Sequence, residues 1–399
     1  MMNITMFDCA FGDCFELQPK SGGDVLYVDF GTKGGCKTWG TKNSKAMSTK
    51  WNKARYDRVY EQIVKIKGEK DLLLTHYHED HYDGLVYAIQ NKEDNNFNFR
   101  NIYIPDVWSM DEKSIDIVGL ILHSQMLEGS LLEREVTLYD LFKAIFTMKS
   151  KLFFVSTDSE KNDINEEYTI LWPNMDKIDC PKGWISQSAE RGLDELARRL
   201  IGIVTTYQQE GFQEDNSQVL IEQLEEEKEK FRLLQDELSD KANGDMDPTA
   251  KNKLRNWGNE ISIVFHSKMS LTINALFCGD VPTKYWEDIV KNIEQDNDRK
   301  QGIYDIIKVP HHGTEDYYWD FTQYAGERTF FLIPNGYYSR YPIYNRYSVD
   351  INYLGCTAVC VNNDNCQQVK NGRCMCENKI IIGGRGKITI REKENKYFY

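Results

Sequence analysis

Apolar residues follow two rhythms along this chain. Short runs of strand length, Leu72 to Leu74, Ile261 to Phe265, Leu271 to Phe277 and Ile306 to Val309, predict buried strands. Longer stretches repeat at helical spacing. Ser188 to Tyr207 carries Leu193, Leu196, Leu200, Ile201 and Val204 on one face, and Asn216 to Lys241 carries Val219, Leu220, Leu224, Phe231, Leu233 and Leu234. Both read as amphipathic helices, and an antiparallel hairpin is their simplest arrangement. Ile117 to Leu122 is a further apolar segment, and His123 after it reads as a core or helix-face histidine.

Three of these strands lead into segments dense in metal-binding side chains. Leu72 to Leu74 runs into Thr75-His76-Tyr77-His78-Glu79-Asp80-His81, so that three of the seven histidines fall within six residues, just before Asp83-Gly84. On a tight loop leaving a strand, His76 and His78 turn to one ion while Asp80 and His81 turn to a second, mixing the imidazole and carboxylate donors that first-row transition metals favour. A surface loop rich in histidine is the plain alternative, and the H-x-H-x-D-H spacing argues against it. Leu271 to Phe277 ends in Cys278-Gly279-Asp280, and Ile306 to Val309 in Pro310-His311-His312-Gly313-Thr314.

The T-H-x-H-x-D-H loop after a buried strand resembles the signature of the metallo-β-lactamase fold hydrolases. The resemblance implies an α/β chain folded as a four-layer αβ/βα sandwich, with one or two metals at the edge of two sheets. It also implies a carboxylate bridging the metals, for which Asp280 is the candidate because Gly279 lets the chain turn sharply at the strand end. The last ligand is expected after another strand. His311 leaves that strand first with Pro310 fixing its approach, so it is taken as the ligand. Adjacent residues of an extended segment point in different directions, so His312 is expected to face the substrate. Lys308 and Thr314 are weaker candidates for phosphate contact.

The run Lys308-Val309-Pro310-His311-His312-Gly313-Thr314 narrows the likeness to the soluble domain of the ComEC DNA-uptake proteins and their free-standing relatives. Met6 to Phe15 is similar to their D-V-G-Q-G-D-A segment, Val25 to Gly31 to their L-I-D-x-G strand, Ile170 to Pro173 to a V-L-x-P turn, and Asn259 to Phe265 to N-x-x-S-L-V-L. Asn335 to Pro342 and Gly386 to Ile390 echo the terminal pieces. Many members of the wider fold carry another histidine before the bridging aspartate, where this chain has Asn259 and Ser262. The nearest histidine, His266, is read as structural or exposed near a hairpin tip, and Asn259 as the candidate for the vacant place. With fewer nitrogen ligands the site is expected to tolerate manganese as well as zinc. The implied set is His76, His78 and Asn259 on the first metal, Asp80, His81 and His311 on the second, and Asp280 between them. A hydroxide held between the metals attacks phosphorus, with Asp80, Asp280 and His312 as the catalytic residues.

Length alone does not divide a chain of 399 residues, and one catalytic domain with insertions is expected: 1–173 as its first half, 174–258 as a helical insertion, 259–399 as its second half with a Cys-rich hairpin. The chain has no run of 18 apolar residues, and Met1 to Thr5 leads straight into strand-like sequence. A cytoplasmic protein without a membrane partner is expected, unlike the ComEC proteins themselves. Net charge is −13, from 49 basic and 62 acidic residues, which argues against broad capture of nucleic acid. Part of that acidity is concentrated in Glu222 to Glu237, leaving room for a local basic groove from Lys308, Arg340 and Arg346. The helical hairpin is expected to cap the site, pair with a second subunit or dock another protein, against the plainer reading of a solvated charged arm. Lys33 to Asp57 is expected as a loop at the site's rim.

Five of the ten cysteines lie between Cys356 and Cys376. Cys360, Cys366, Cys374 and Cys376 are candidates for a structural zinc, although their spacing matches no usual finger; disulfides or reduced thiols are the alternatives. The expected function is a metal-dependent hydrolase of phosphodiester bonds, a nuclease on DNA or RNA. The alternatives are a small-molecule hydrolase, acting on a cyclic nucleotide, phosphocholine ester or lactone, and a partner-controlled effector such as one in antiphage defence.

Overall fold

The computed structural model describes residues 2–9, 12–19, 24–32, 44–92, 97–129, 136–159, 162–180, 187–210, 214–245, 248–297, 302–334, 343–354, 356–360, 379–381, 387–393 and 396–398. Cys366, Cys374, Cys376, Arg340 and the Asn335 to Pro342 segment lie outside these residues, as do residues 33–43 of the expected rim loop; its remainder, Ser44 to Asp57, is helix rather than loop.

Six strands, β1 (Asn3–Phe7), β2 (Phe15–Gln18), β3 (Val25–Val28), β4 (Lys70–Leu73), β5 (Asn101–Pro105) and β6 (Lys151–Val155), start a first sheet. A second sheet comes next: β7 (Asp163–Ile164), β8 (Tyr168–Trp172), β9 (Val264–Ser267), β10 (Ala275–Phe277), β11 (Ile306–Lys308), β12 (Phe330–Ile333), β13 (Thr357–Cys360) and β14 (Lys379–Ile381). The chain then returns to the first sheet with β15 (Lys387–Lys393) and β16 (Lys396–Phe398), β15 pairing antiparallel with β1. Among the described residues each sheet has eight strands and is mixed, parallel through β3 to β6 in one and through β10 to β14 in the other.

Alternation along the strands explains how the sheets meet. In β1 and β2, Ile4, Met6, Phe15 and Leu17 point to the same side and join Phe265, Ala275, Phe277 and Ile306 of the second sheet in one core. Phe15 meets Phe277 edge to face at 5.5 Å across that interface. The opposite faces of both sheets are covered by helices. These are α1 (Ser44–Lys65), α2 (Glu79–Asn91), α3 (Glu112–Gly129) and α4 (Leu138–Met148), then α5 (Gln187–Glu210), α6 (Glu214–Asp245), α7 (Pro248–Asn256), α8 (Trp286–Gln295) and α9 (Asn345–Leu354). The result is a mixed α/β sandwich. No described helix is long and apolar enough to cross a membrane.

The helical insertion is not a solvated arm. α5 and α6 run antiparallel, with Arg199 paired to Glu227 and Gly192 opposite Leu234. Together they pack on α3 and α4, where Tyr207 stacks on Phe146 at 3.9 Å and Lys228 pairs with Asp140. Leu193, Leu200, Ile201, Val204, Leu220, Leu224 and Phe231 are buried there as the spacing predicts. Val219 and Leu233 are not: they are 53% and 61% exposed. The buried stripe of α6 follows Leu220, Leu224 and Phe231, and these two residues fall outside it.

His266 and His123, two histidines outside the T-H-x-H-x-D-H loop, are buried in the core. Trp257–Ile261 forms a 3-10 turn, so the next strand begins at Val264 and His266 lies inside it, fully buried, rather than at a hairpin tip. Its ring bonds Tyr304 Oη at 2.9 Å and Asp296 Oδ2 at 2.6 Å, which ties β9 to the end of α8. His123, on α3, is buried with no hydrogen-bond partner for Nδ1, and burial pushes its pKa down to about 4. The unfolded chain therefore binds a proton near pH 6.5 that the folded chain refuses, so stability is full above that pH and falls as pH drops from about 6.5 to about 4. His123→Leu should flatten thermal stability across that window by roughly 2–3 kcal/mol. An unchanged pH profile of melting in the variant would remove His123 as the cause.

Candidate functional site

The chemistry gathers where the ends of both sheets meet. Thr75 O accepts from the Ile263 N–H at 2.8 Å, joining the loop after β4 to the entry of β9. His76 and His78 lie on that loop, whereas Asp80 and His81 belong to the first turn of α2, with His78 at its N-cap. The loops after β1 and β3 clasp this turn: Asp13 N–H donates to Asp80 O at 3.4 Å and Phe30 N–H to His81 O at 2.8 Å. Gly31 is required by that approach, because a Cβ there would stand 2.2 Å from the Asp80 carbonyl oxygen. Gly279, with φ +49°, turns the chain after β10 and delivers Asp280, whose N–H donates to Ser262 Oγ at 2.7 Å.

Among the described residues, His76, His81 and Asp280 offer ligand atoms within 4.8 Å of one another, and so do Asp80, His81 and His312. Asp13, Asp29 and His81 form a third such group. All of these side chains are buried, and the first two groups are able to hold a metal ion.

The hydrogen bonds behind the histidines set their tautomers. Thr75 Oγ1 donates to Asp29 Oδ2 at 2.7 Å, so it accepts from His76 Nδ1–H at 3.1 Å. His81 Nδ1–H donates to Asp29 Oδ2 at 2.8 Å, and His312 Nδ1–H to Pro334 O at 3.0 Å. In each case Nε2 is the nitrogen left for the site. His81 Nε2 stands 3.3 Å from Asp280 Oδ2 and His312 Nε2 3.5 Å from the same oxygen. A ring whose remote N–H is anchored and whose other nitrogen faces carboxylates is the arrangement of a metal-ligating histidine.

Charge acts in opposite senses on the groups of the site. Burial would raise Asp280, but Lys308, His312 and His81 hold it well below the usual carboxylate range. Burial, together with His81 and His78, pushes His76 down and keeps it neutral. For His81 burial is outweighed by Asp29 and Asp280, which raise it. Asp29 itself is raised by burial.

The turn places the two adjacent histidines differently from an extended segment. Pro310 to Gly313 is not extended: His311 has φ 41° and His312 φ 56°, so both stand in the left-handed region and the alternation argued for a strand does not apply. His312, expected at the substrate, is the fully buried one, grouped with Asp80 and His81. His311, expected as the ligand, lies at the mouth with 17% of its side chain exposed and Nε2 4.0 Å from Asp280 Oδ2. Its ring stacks on Tyr317 at 3.9 Å. Thr314 Oγ1 donates to the His311 carbonyl at 3.0 Å and so accepts from Nδ1–H at 2.7 Å, leaving Nε2 as a proton acceptor. Thr314, expected at a phosphate, is thus spent on shaping this turn.

Lys308 is corrected more sharply. Its side chain is 2% exposed and its ammonium meets Asp13 Oδ2 at 2.6 Å, Gly279 O at 2.8 Å and Asp280 Oδ1 at 3.2 Å, so it neither lines a basic groove nor reaches a phosphate. Arg346 lies on α9 and pairs with Asp350. His78 Nδ1 stands 3.0 Å from His76 Nε2, beside the first donor group. Asn259 donates from Nδ2 to Tyr317 Oη at 2.7 Å, and its Oδ1 is buried with no hydrogen-bond partner, as an oxygen kept for a cation would be.

Sequence patterns assign no role to Asp13, Asp29 or Tyr317. Asp13 and Asp29 sit in the segments Gly12-Asp13 and Val28-Asp29-Phe30-Gly31, a Gly-Asp turn and a strand-end aspartate of the kind that singles out Asp280. Tyr317 has no local signal. No protein-family model matches the chain, and no curated protein matches it.

Proposed function

We propose that the protein is a metal-dependent hydrolase of phosphodiester bonds, with nucleic acid as its substrate class, built on the four-layer metallo-β-lactamase fold in its ComEC-like, free-standing form. The observation that carries this reading is the set of three buried histidines, His76, His81 and His312, each anchored through Nδ1 and each grouped through a ligand atom with Asp280 or Asp80. Two face-to-face mixed sheets with the site at their shared edge, and the T-H-x-H-x-D-H loop leaving a strand, support the fold assignment.

Zinc or manganese fits this donor set, in which imidazole nitrogen and carboxylate oxygen are mixed and Asn259 supplies a further oxygen. His76 and Asp280, with His78 and Asn259 beside them, would hold one ion; Asp80, His81 and His312 would hold another. When bound, such ions polarise a phosphoryl oxygen and acidify water near neutral pH. The chain's residues do the rest. Asp29 keeps His81 oriented, and Asp280 directs Oδ2 at His81, His312 and His311. Burial pushes the His311 pKa down to about 3, so the ring stays neutral and presents the Nε2 lone pair at the mouth as a hydrogen-bond acceptor, held by Thr314 and Tyr317.

The test is metal analysis of the purified protein together with hydrolysis of bis-p-nitrophenyl phosphate, single-stranded DNA, duplex DNA and RNA, with zinc and with manganese. Bound transition metal and cleavage of nucleic acid, supported by manganese at least as well as by zinc, are expected. Hydrolysis of the small diester without cleavage of any nucleic acid would move the substrate to a small phosphodiester, the class that the −13 net charge favours. Absence of both metal and hydrolysis would sink the reading.

A further inference from the structure

The third donor group, Asp13, Asp29 and His81, adjoins a positive charge supplied by the chain itself. Lys308 ends β11 beside Phe277 of the parallel strand β10, and the turn at Gly279 brings the next carbonyl and carboxylate back over its ammonium. The three N–H bonds of the ammonium meet three acceptors: Asp13 Oδ2, Gly279 O and Asp280 Oδ1. Both carboxylates and the lysine are buried to within 2%. A buried ammonium is tolerated only when so paired, and here the pairing leaves no N–H for a substrate.

The consequence falls on Asp280. Its Oδ1 is taken by Lys308, and only Oδ2 faces His81 at 3.3 Å, His312 at 3.5 Å and His311 at 4.0 Å. Among the described residues the cluster holds four aspartates, Asp13, Asp29, Asp80 and Asp280, around the Lys308 ammonium. That cation lies one carboxylate away from the place where metal would bind.

We infer that Lys308 is a built-in cation and positioning residue of the candidate metal centre, which holds Asp280 to a single outward oxygen and, by its charge, limits how tightly the centre binds metal. This rests on the metal-dependent function proposed for the site. The two effects are separable. Removing the charge makes the buried cluster more negative and tightens binding of a divalent ion, while freeing Asp280 Oδ1 lets the carboxylate rotate and lowers turnover.

The experiment titrates Mn²⁺ into metal-free parent, Lys308→Met, Lys308→Arg and the double variant Asp13→Asn/Lys308→Met, with kcat and KM measured on bis-p-nitrophenyl phosphate. Lys308→Met should bind Mn²⁺ about tenfold or more tightly than the parent and lose about 100-fold in kcat with KM nearly unchanged. Lys308→Arg should keep affinity near that of the parent. The double variant has the parent's net charge, avoids one unpaired buried carboxylate if the single variant fails to fold, and should return to parent affinity with kcat still low. Parent kcat in the double variant, weaker Mn²⁺ binding in a folded Lys308→Met, or a raised KM at unchanged kcat would each overturn the inference. A parent that binds no metal overturns the proposed function along with it; a parent that binds metal while Lys308→Met behaves identically overturns the inference alone.

Discussion

His312→Ala is expected to bind metal at least about 100-fold more weakly than the parent, whereas His311→Ala keeps its metal and loses turnover by roughly 100-fold to 10,000-fold. The asymmetry comes from the left-handed turn after β11. His312 is fully buried, its Nδ1–H is held by Pro334 O, and its ligand atom is grouped with Asp80 and His81. His311 stacks on Tyr317 at the mouth, and its nearest site atom, Asp280 Oδ2, is 4.0 Å away. Elemental analysis of the two purified variants, with kinetics on a small phosphodiester, separates the roles. Metal loss in His311→Ala with retention in His312→Ala would restore the order that an extended strand implies.

Asp29→Asn should weaken metal binding by about 10-fold to 100-fold without unfolding the protein, even though Asp29 has no place in either of the first two donor groups. Asp29 accepts the Thr75 N–H on Oδ1, and the Thr75 hydroxyl and His81 Nδ1–H on Oδ2, all within 2.8 Å. An asparagine has the same shape and tolerates the left-handed backbone at this position, φ 56°. Its amide, however, turns a donor toward either Thr75 or His81. His81 must then change tautomer or rotate, and His81 is the one residue common to all three donor groups. Isothermal titration with zinc or manganese measures the effect, and a melting temperature near the parent's shows that the fold is kept. Parent affinity in the folded variant would mean that His81 needs no orienting carboxylate.

The parts of this site that were legible from the chain are those whose chemistry is local. An apolar run followed within a few residues by histidine and carboxylate is a strand delivering ligands, and His76, Asp80, His81 and Asp280 are met together in the structure as that pattern suggested. The helices of the insertion were legible for the same reason, since their spacing is written in consecutive turns. The edges of elements were less so: β10 covers only Ala275–Phe277 of the run from Leu271, and a 3-10 turn at Trp257–Ile261 displaces β9 and carries His266 into the core.

Tertiary structure alone decided which of two neighbouring histidines is buried beside Asp80 and His81 and where the charge of Lys308 is spent. The hand of the turn at His311 and His312 depends on partners distant in the chain, with Gly279 O accepting from the His311 N–H at 3.2 Å and Pro334 O from the His312 ring. Spacing cannot reveal this, because a dipeptide permits either hand and only the surrounding acceptors choose between them. Lys308 reads as an exposed base in a polar motif until Asp13, from the opposite end of the chain, is brought to 2.6 Å from its ammonium where the two sheets meet. Ligand types and their order are properties of the sequence; which charges are buried together, and hence which of them are left to act, depends on the packing of one sheet against the other.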